Sequence, residues 1–372
     1  MITETIKATD KEGIRRAAEL IRRGETVAFP TETVYGLGAN AFDGAAVAKI
    51  FEAKGRPADN PLIVHIENIN MLYEIAVGIP DDFYALYEKF MPGPLTVILH
   101  RSKRIGDAVT AGLDTVAVRF PRHRTAVELI KTSGLPLAAP SANLSEHVSP
   151  TSAAHVLRDL GGRIPMIVDG GECTVGIEST VLDMTNDVPV VLRPGAVTLD
   201  MLKKVLPSVT DYRKDVTGGE IIQAKSPGMK YRHYSPNAEL YLVKTPADGI
   251  ALYDGIKNLA EGIANSDGMK NLAEGIVRCA GIKNLTDGIA VYDGIEASKK
   301  TVVAIVRESN LALYGERRTF SVPDDTKGYA KRIYALLRAA EETADIIVCE
   351  EPDGNGSGGA VLNRLRKAEN RK

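Results

Sequence analysis

Short apolar runs alternate with helical patterns along the first 206 residues of the chain. Runs of this length between turn residues are typical of buried strands. The predicted strands are 26–29, 61–66, 95–99, 115–120, 137–139, 165–168, 179–182 and 188–192. The predicted helices are 44–54, 81–90, 123–132, 151–160 and 198–206. Interleaved strands and helices predict an α/β domain over 1–206, built on a mixed sheet.

The helix over 44–54 has the clearest boundaries. Asp43 precedes it and can cap its first turn, whereas Gly55 follows it and can end it. Lys54, the last helical residue, then leads into a proline-stiffened segment.

The pattern changes after residue 206. Prolines and glycines without apolar periodicity predict an extended linker over 207–236. Strands at 240–243, 301–306 and 345–349 with a helix over 326–343 predict a smaller Rossmann-like domain over 237–372. The glycine-rich stretch 353–359 fits a close turn between a strand and a final helix better than a dinucleotide site.

A 13-residue repeat occupies about 249–296, most clearly where DGIKNLAEGI recurs as DGMKNLAEGI. Glycine at regular intervals discourages a continuous helix, so this segment predicts short elements joined by turns.

Composition and charge argue against several classes of protein and of binding site. Hydrophobic residues make up 44% and charged residues 25%, the balance of a globular protein. The net charge of −2 argues against a dedicated nucleic-acid binder, because such proteins need a basic excess.

Three widely spaced cysteines without a CxxC pair argue against a zinc site or a disulfide framework. The polar N-terminus and the lack of long apolar runs predict a cytoplasmic protein without a membrane segment.

Polar residues cluster where predicted strands end. The glycine-rich segment 30–38 follows the first strand, and loops in this position bind ligands in open α/β sheets. Lys54, Arg56, Asn60 and His65 project from the next connection and suit an anion with several oxygens, such as a triphosphate.

Arg119 is the most informative single residue, because it interrupts an apolar strand. Thr115 lies four residues earlier and shares its face. A cation in such a strand needs an anionic partner, either a structural carboxylate or the carboxylate of a substrate. With Ser141, Asn143 and the polar segments 176–180 and 193–195, these residues predict a ligand cleft.

The same motifs resemble the YrdC-type threonylcarbamoyl-AMP synthases. The shared motifs are PTETVYGLG, the KxR of Lys54 and Arg56, NPLIVH, the SxN of Ser141 and Asn143, GIEST and LRPG. The segment 226–236 and a further α/β domain resemble the long two-domain version of this family. The resemblance implies a YrdC-like mixed twisted sheet with helices around a ligand cleft.

The resemblance also implies a reaction. L-threonine, bicarbonate and ATP, accompanied by Mg²⁺, would form threonylcarbamoyl-AMP and pyrophosphate. A separate complex would transfer the threonylcarbamoyl group to tRNA, with no stable tRNA binding by this chain. No residue is assigned to a metal. For this reaction the linker over 207–236 would act as a lid over the active site that excludes water from the reactive acyl phosphate.

The implied catalytic residues are Lys54 and Arg56, which would neutralise phosphates. The implied threonine-binding residues are Thr33, His65, Arg119 and Ser179. The implied ATP-binding residues are Lys54, Arg56, Asn60, Thr115, Ser141, Asn143, Ser149, Arg193, Tyr231 and Tyr234.

Two other functions stay open at this point. A carbamoyl-transfer enzyme of the same fold would use carbamoyl phosphate, although the zinc-finger-like cysteine modules of such enzymes are missing here. An RNA-binding module would use the aromatic and basic residues of 230–234.

Overall fold

The computed structural model describes residues 1–211, 234–260 and 300–369, without the side chains of 259 and 260. It divides them into two compact units. Unit 1 comprises the described residues of Met1–Ser145 and Ser149–Tyr231, and unit 2 those of Glu146–Val148 and Arg232–Lys372. Most of the predicted linker and of the 13-residue repeats, together with Tyr231, lies outside the described residues. No helix among the described residues is long and apolar enough to cross a membrane.

Unit 1 is built on one mixed sheet. Its strands are β1 (Glu4–Lys7), β2 (Val27–Phe29), β3 (Gly36–Asn40), β4 (Ile63–His65), β5 (Ala76–Val77), β6 (Leu95–Arg101), β7 (Thr115–Arg119), β8 (Leu137–Ala138), β9 (Met166–Asp169), β10 (Thr180–Asp183), β11 (Val190–Arg193) and β12 (Thr210–Asp211). Their order is β1-β9-β2-β3-β8-β4-β7-β6-β10-β11-β12, and β5 pairs with β6. The predicted α/β fold with a mixed sheet is confirmed.

Helices connect these strands. They are α1 (Lys11–Arg22), α2 (Gly44–Lys54), α3 (Ile69–Ile75), α4 (Asp82–Phe90), α5 (Asp107–Thr110), α6 (Arg124–Ser133), α7 (Ala153–Leu160) and α8 (Leu199–Lys203). The predicted caps of α2 are confirmed, because the Asp43 side chain accepts from the N–H groups of Ala45 and Ala46 and Gly55 has a φ of 59°. Helix α8 is shorter than the predicted 198–206.

Alternation along β2 shows that both faces of the sheet are covered. Ala28 packs into one apolar cluster, whereas Val27 and Phe29 pack into another. Since successive side chains of a strand point to opposite faces, the two clusters lie on opposite sides of the sheet. This arrangement buries the central strands on both faces and leaves the connections to form the site.

Strand β3 corrects one prediction, because part of the segment expected to be a loop is a strand. Gly36 to Gly38 pair antiparallel with β2, and Ala39 and Asn40 pair antiparallel with β8. A Cβ on Gly38 would lie 2.7 Å from Cε1 of Phe29, so the missing side chain leaves room for the phenyl ring. The glycines that favoured a ligand-binding loop instead allow close strand packing.

Unit 2 contains a second, parallel sheet. Its strands are β13 (Glu239–Val243), β14 (Val302–Arg307), β15 (Thr319–Val322) and β16 (Ile346–Glu350), in the order β13-β16-β14-β15. Its helices are α9 (Pro246–Ala260), α10 (Thr326–Glu341), α11 (Ser357–Ala368) and the 3₁₀ helix Glu308–Tyr314. The predicted smaller α/β domain is thus present, and the glycine-rich stretch joins β16 to α11.

Helix α9 corrects a second prediction. Over Pro246–Ala260 it is one continuous helix, which includes Gly249 and Gly255 and the described part of the first repeat copy. Leu252, Tyr253 and Ile256 bury their side chains against the sheet of unit 2. Gly249 lies against Tyr314, whose hydroxyl oxygen would be 2.1 Å from an added Cβ. Tertiary packing therefore outweighs the low helical propensity of glycine here.

Candidate active site

Arg119 anchors the candidate site in unit 1. It lies at the end of β7 and its side chain is 4% exposed. Nη1 donates to Thr33 Oγ1 (2.8 Å) and Nη2 lies 2.8 Å from Glu32 Oε1. The sequence predicted an anionic partner for Arg119, and in the structure this partner is the side-chain carboxylate of Glu32. Glu32 also accepts from the backbone N–H of Arg122 (3.2 Å).

Strand register places two further polar residues near Arg119, and hydrogen bonds connect two more to them. His65 of β4 and Thr96 of β6 are both directly opposite Arg119, so their side chains share its face of the sheet. Thr96 Oγ1 lies 2.7 Å from Ser179 Oγ, and Arg193 Nη2 donates to the same Ser179 oxygen (3.2 Å). Three of the predicted threonine-binding residues and Arg193 are thus connected to Arg119 through contacts or register.

His65 is held neutral by its surroundings. The ring is buried, its Nδ1 lies 3.3 Å from the Ile63 carbonyl oxygen, and it packs edge-on against Phe29. Burial, followed by the nearby positive charge of Arg119, lowers the pKa of His65 to about 3. At neutral pH the imidazole can therefore act only as an uncharged donor or acceptor.

Lys54 joins α2 to the loop that follows β8. It is buried, and its Nζ donates to the carbonyl oxygens of Ser141 (2.6 Å) and Asn143 (2.5 Å). Strand β3 touches the same loop, because Gly36 forms a bridge with Ser141. The predicted phosphate-binding cation and two predicted ATP-binding residues therefore form one connected group.

Arg56 and Asn60 form a second group just beyond α2. Arg56 Nη2 donates to the Asn60 carbonyl oxygen (3.1 Å). The Asn60 side chain is completely buried, yet neither its Oδ1 nor its Nδ2 has a hydrogen-bond partner among the described residues. Buried amides are nearly always hydrogen-bonded, so these two atoms indicate a place for a ligand.

Three further predicted ATP-binding residues are described by the structure: Ser149, Thr115 and Tyr234. Ser149 donates to Glu178 Oε1 (2.6 Å), and both side chains are buried. Thr115 lies at the opposite end of β7 from Arg119, opposite His100 of β6. Tyr234 lies in unit 2, where its ring stacks on that of Tyr334 at a centroid distance of 6.0 Å.

Thr96, Glu32 and Glu178 are the site residues that sequence reasoning did not assign. Thr96 lies within a predicted strand, outside the quoted motifs, whereas Glu32 and Glu178 both occur inside motifs that were quoted, PTETVYGLG and GIEST. Their partners, Arg119 and Ser149, are 87 and 29 residues away along the chain, and no local pattern reveals such pairings. The one available signal was a cation, Arg119, in an apolar strand. It predicted a carboxylate partner but did not identify the residue.

Two family models match the chain in succession. The first, the Sua5/YciO/YrdC family described as telomere recombination, matches residues 19–195. The second, described as the C-terminal domain of threonylcarbamoyl-AMP synthase, matches residues 197–369.

Curated relatives named threonylcarbamoyl-AMP synthase match the chain closely. The protein of Pyrococcus abyssi is 43% identical over 356 residues, which cover 95% of this chain and 93% of the relative. The protein of Bacillus subtilis is 51% identical over 241 residues, which cover 64% and 68%. A crystal structure of P. abyssi Sua5 complexed with L-threonine superposes with a TM-score of 0.80 at 41% identity, covering 99% of this chain and 97% of that one.

Proposed function

This chain belongs to the family of threonylcarbamoyl-AMP synthases, and from that premise we propose substrates and residue roles for its site. The chain is an enzyme that makes threonylcarbamoyl-AMP, an intermediate for modifying tRNA. We assign L-threonine, bicarbonate and ATP as its substrates and pyrophosphate as its second product. The observation that carries the assignment is the buried Arg119 with its polar neighbours on one face of the sheet.

Arg119 holds the carboxylate of L-threonine. A buried guanidinium recognises a carboxylate through paired N–H donors, and a relative of this chain has been crystallised with L-threonine. Thr33, Ser179 and the neutral His65 supply short hydrogen-bonding groups around the amino acid. This set of hydrogen-bonding groups suits a small polar substrate.

The nucleotide lies against the Lys54 and Arg56 groups. Lys54 and Arg56 neutralise the phosphates, and the unpartnered amide of Asn60 binds the nucleotide. Thr115, Ser141, Asn143, Ser149 and Arg193 complete the ATP site within unit 1. Contacts from Tyr231 and Tyr234 to the nucleotide remain predictions, since Tyr231 lies outside the described residues and Tyr234 belongs to unit 2.

The reaction proceeds by positioning and charge stabilisation. The threonine nitrogen bonds to the carbon of bicarbonate, releasing water and a proton. A carbamate oxygen then attacks the α-phosphorus of ATP, and pyrophosphate leaves with its charge neutralised by Lys54 and Arg56. No step requires a covalent bond to the protein, so correct alignment and fixed cations supply the rate enhancement.

Mg²⁺ would accompany ATP. Among the described residues, no group of three His, Cys, Asp or Glu side chains could hold a metal ion. This fits Mg²⁺ bound mainly by phosphate oxygens and water, as is common at nucleotide sites. The ion would supply additional positive charge against the phosphates.

The product passes to a separate complex that modifies tRNA. The net charge of −2 supports a protein that delivers a small molecule without holding tRNA stably. We place this activity in the cytoplasm.

The test is release of pyrophosphate from ATP by the full chain in the presence of Mg²⁺. We expect release that requires both L-threonine and bicarbonate, with much slower release for L-serine and L-valine. Release that is independent of L-threonine would contradict the assignment.

A further inference from the structure

Glu32 lies beside the cation to which the proposed function assigns the substrate carboxylate. Its Oε1 and Arg119 Nη2 face each other at 2.8 Å, and both side chains are 4% exposed. Within residues 1–211, 234–260 and 300–369, neither of these two atoms has a hydrogen bond of good geometry to another group. A carboxylate oxygen and a guanidinium nitrogen therefore lie side by side, each with capacity for a further partner.

Charge balance restricts what can bind here. The ion pair is neutral as a whole, so a ligand with only a carboxylate would add an uncompensated negative charge beside Glu32. Such a charge is costly in a buried site. An α-amino acid carries its carboxylate and its ammonium group on the same carbon, so it can present each to the opposite charge of the pair.

We propose that Glu32 accepts the protonated amino group of L-threonine while Arg119 holds the carboxylate, so that the pair selects zwitterions. The inference rests on the proposed function, which places the substrate carboxylate on Arg119. It makes Glu32 a determinant of substrate specificity in addition to a support for Arg119.

Glu32 is ionised, as this role requires. Burial alone would raise the pKa of Glu32, but the Arg119 guanidinium and backbone N–H groups outweigh it and hold the pKa below its usual value. The carboxylate therefore keeps its charge at neutral pH.

The same contact changes during the reaction. The ammonium group must first release a proton, because only the neutral amine has a lone pair that can bond to the carbon of bicarbonate. A second proton from the nitrogen then joins the hydroxyl group that bicarbonate loses, forming water, and the nitrogen no longer carries a positive charge. The attraction to Glu32 is then lost, while the remaining carboxylate still lies near the negative charge of Glu32. The pair thus favours the substrate over the product, and this difference promotes product release.

The competing explanation is that Glu32 only orients Arg119. Two ligands separate the explanations: L-threonine and 2,3-dihydroxybutanoate of the same stereochemistry, in which a hydroxyl replaces the amino group. Both carry the carboxylate for Arg119, but L-threonine alone carries the ammonium group for Glu32. Calorimetric titration of the full chain measures the two affinities, first for the wild type and then for Glu32→Gln.

We expect the wild type to bind L-threonine at least about tenfold more tightly than the hydroxy acid, the size expected for a charge-assisted hydrogen bond. In Glu32→Gln, L-threonine binding should weaken about tenfold or more while hydroxy-acid binding does not weaken. Glu74→Gln is the matched control, since Glu74 pairs with Arg104 at the surface of unit 1, and it should leave the affinity ratio unchanged.

Equal binding of both ligands to the wild type would overturn the inference, and this measurement does not depend on the variant folding. Equal weakening of both ligands in Glu32→Gln would also overturn it, because Glu32 would then act only through Arg119. If the wild type bound the hydroxy acid but not L-threonine, the proposed function would fail together with the inference. If L-threonine supported pyrophosphate release but the affinity ratio did not depend on Glu32, only the inference would fail.

Discussion

Replacement of Lys54 by alanine should affect both the stability and the activity of the protein. Lys54 is the last residue of α2, and its buried ammonium group donates to the carbonyl oxygens of Ser141 and Asn143. Alanine at this position removes both bonds. It also removes a positive charge from the group that we assign to the phosphates of ATP.

The expected loss of stability follows from these bonds. A hydrogen bond to a charged group contributes about 1.5–3 kcal/mol. Because water can re-enter and satisfy part of the exposed carbonyl groups, we expect a total loss of about 2–3 kcal/mol. For a domain of roughly 150–250 residues, 1 kcal/mol changes Tm by about 2–4 °C, so Tm should fall by about 4–12 °C.

Thermal unfolding followed by circular dichroism measures this fall, and pyrophosphate release measures the activity. We expect kcat/KM for ATP to fall by about 100-fold or more, as when a fixed donor to a developing negative charge is removed. Lys49→Ala is the matched control on the same helix. Lys49 pairs with Glu25 at the surface, and such pairs contribute about 0–1 kcal/mol. An unchanged Tm for Lys54→Ala, or a fall equal to that of Lys49→Ala, would refute the structural part of this reasoning.

Three further predictions use other residues of unit 1. Asn60→Ala should raise KM for ATP at least about tenfold without lowering Tm. The substitution removes a buried amide whose lack of hydrogen-bond partners costs about 1–3 kcal/mol in the free protein. A lower Tm with an unchanged KM would contradict this prediction. The depressed pKa of His65, about 3, means that the unfolded chain binds a proton more readily, so stability should decline as pH falls from about 6.5 towards 3. Urea unfolding between pH 7 and 4 should show a smaller decline in His65→Asn, and equal declines would refute the role of His65. Gly38→Ala should cost about 1–3 kcal/mol through its clash with Phe29, whereas Gly106→Ala, with open space around it, should change the free energy of unfolding little.

Local patterns explain which elements could be predicted from the sequence. Helix α2 is predictable because Asp43 and Gly55 mark its two ends. Helix α1 was not predicted, although Asp10 caps it and its buried residues recur with helical spacing at Ile14, Ala17, Ala18 and Ile21. The signal for α1 was therefore present in the sequence.

Elements that depend on distant partners could not be predicted in this way. Strand β3 contains two glycines and forms where Phe29 occupies the space of a missing side chain. Helix α9 forms despite its glycines because its apolar side chains pack on the sheet of unit 2. These structures result from long-range contacts, which outweigh local propensity.

The candidate site also contains residues that the sequence predicts and a contact that it does not. The motifs containing Lys54, Arg119 and Ser179 were recognisable, because polar residues at strand ends indicate a cleft. The pairing of Arg119 with Glu32 depends on the register of distant strands and loops. Sequence predicted the chemical type of that partner and the structure identified the residue.

The most direct test of the account is the identity of the adenylate that the full chain makes from ATP, L-threonine and ¹³C-labelled bicarbonate. Mass spectrometry of the product distinguishes threonylcarbamoyl-AMP from an adenylate formed on the threonine carboxylate itself. We predict an adenylate that contains threonine and carries the ¹³C label. An adenylate that contains threonine but no label would contradict the account, because bicarbonate would then take no part in the reaction.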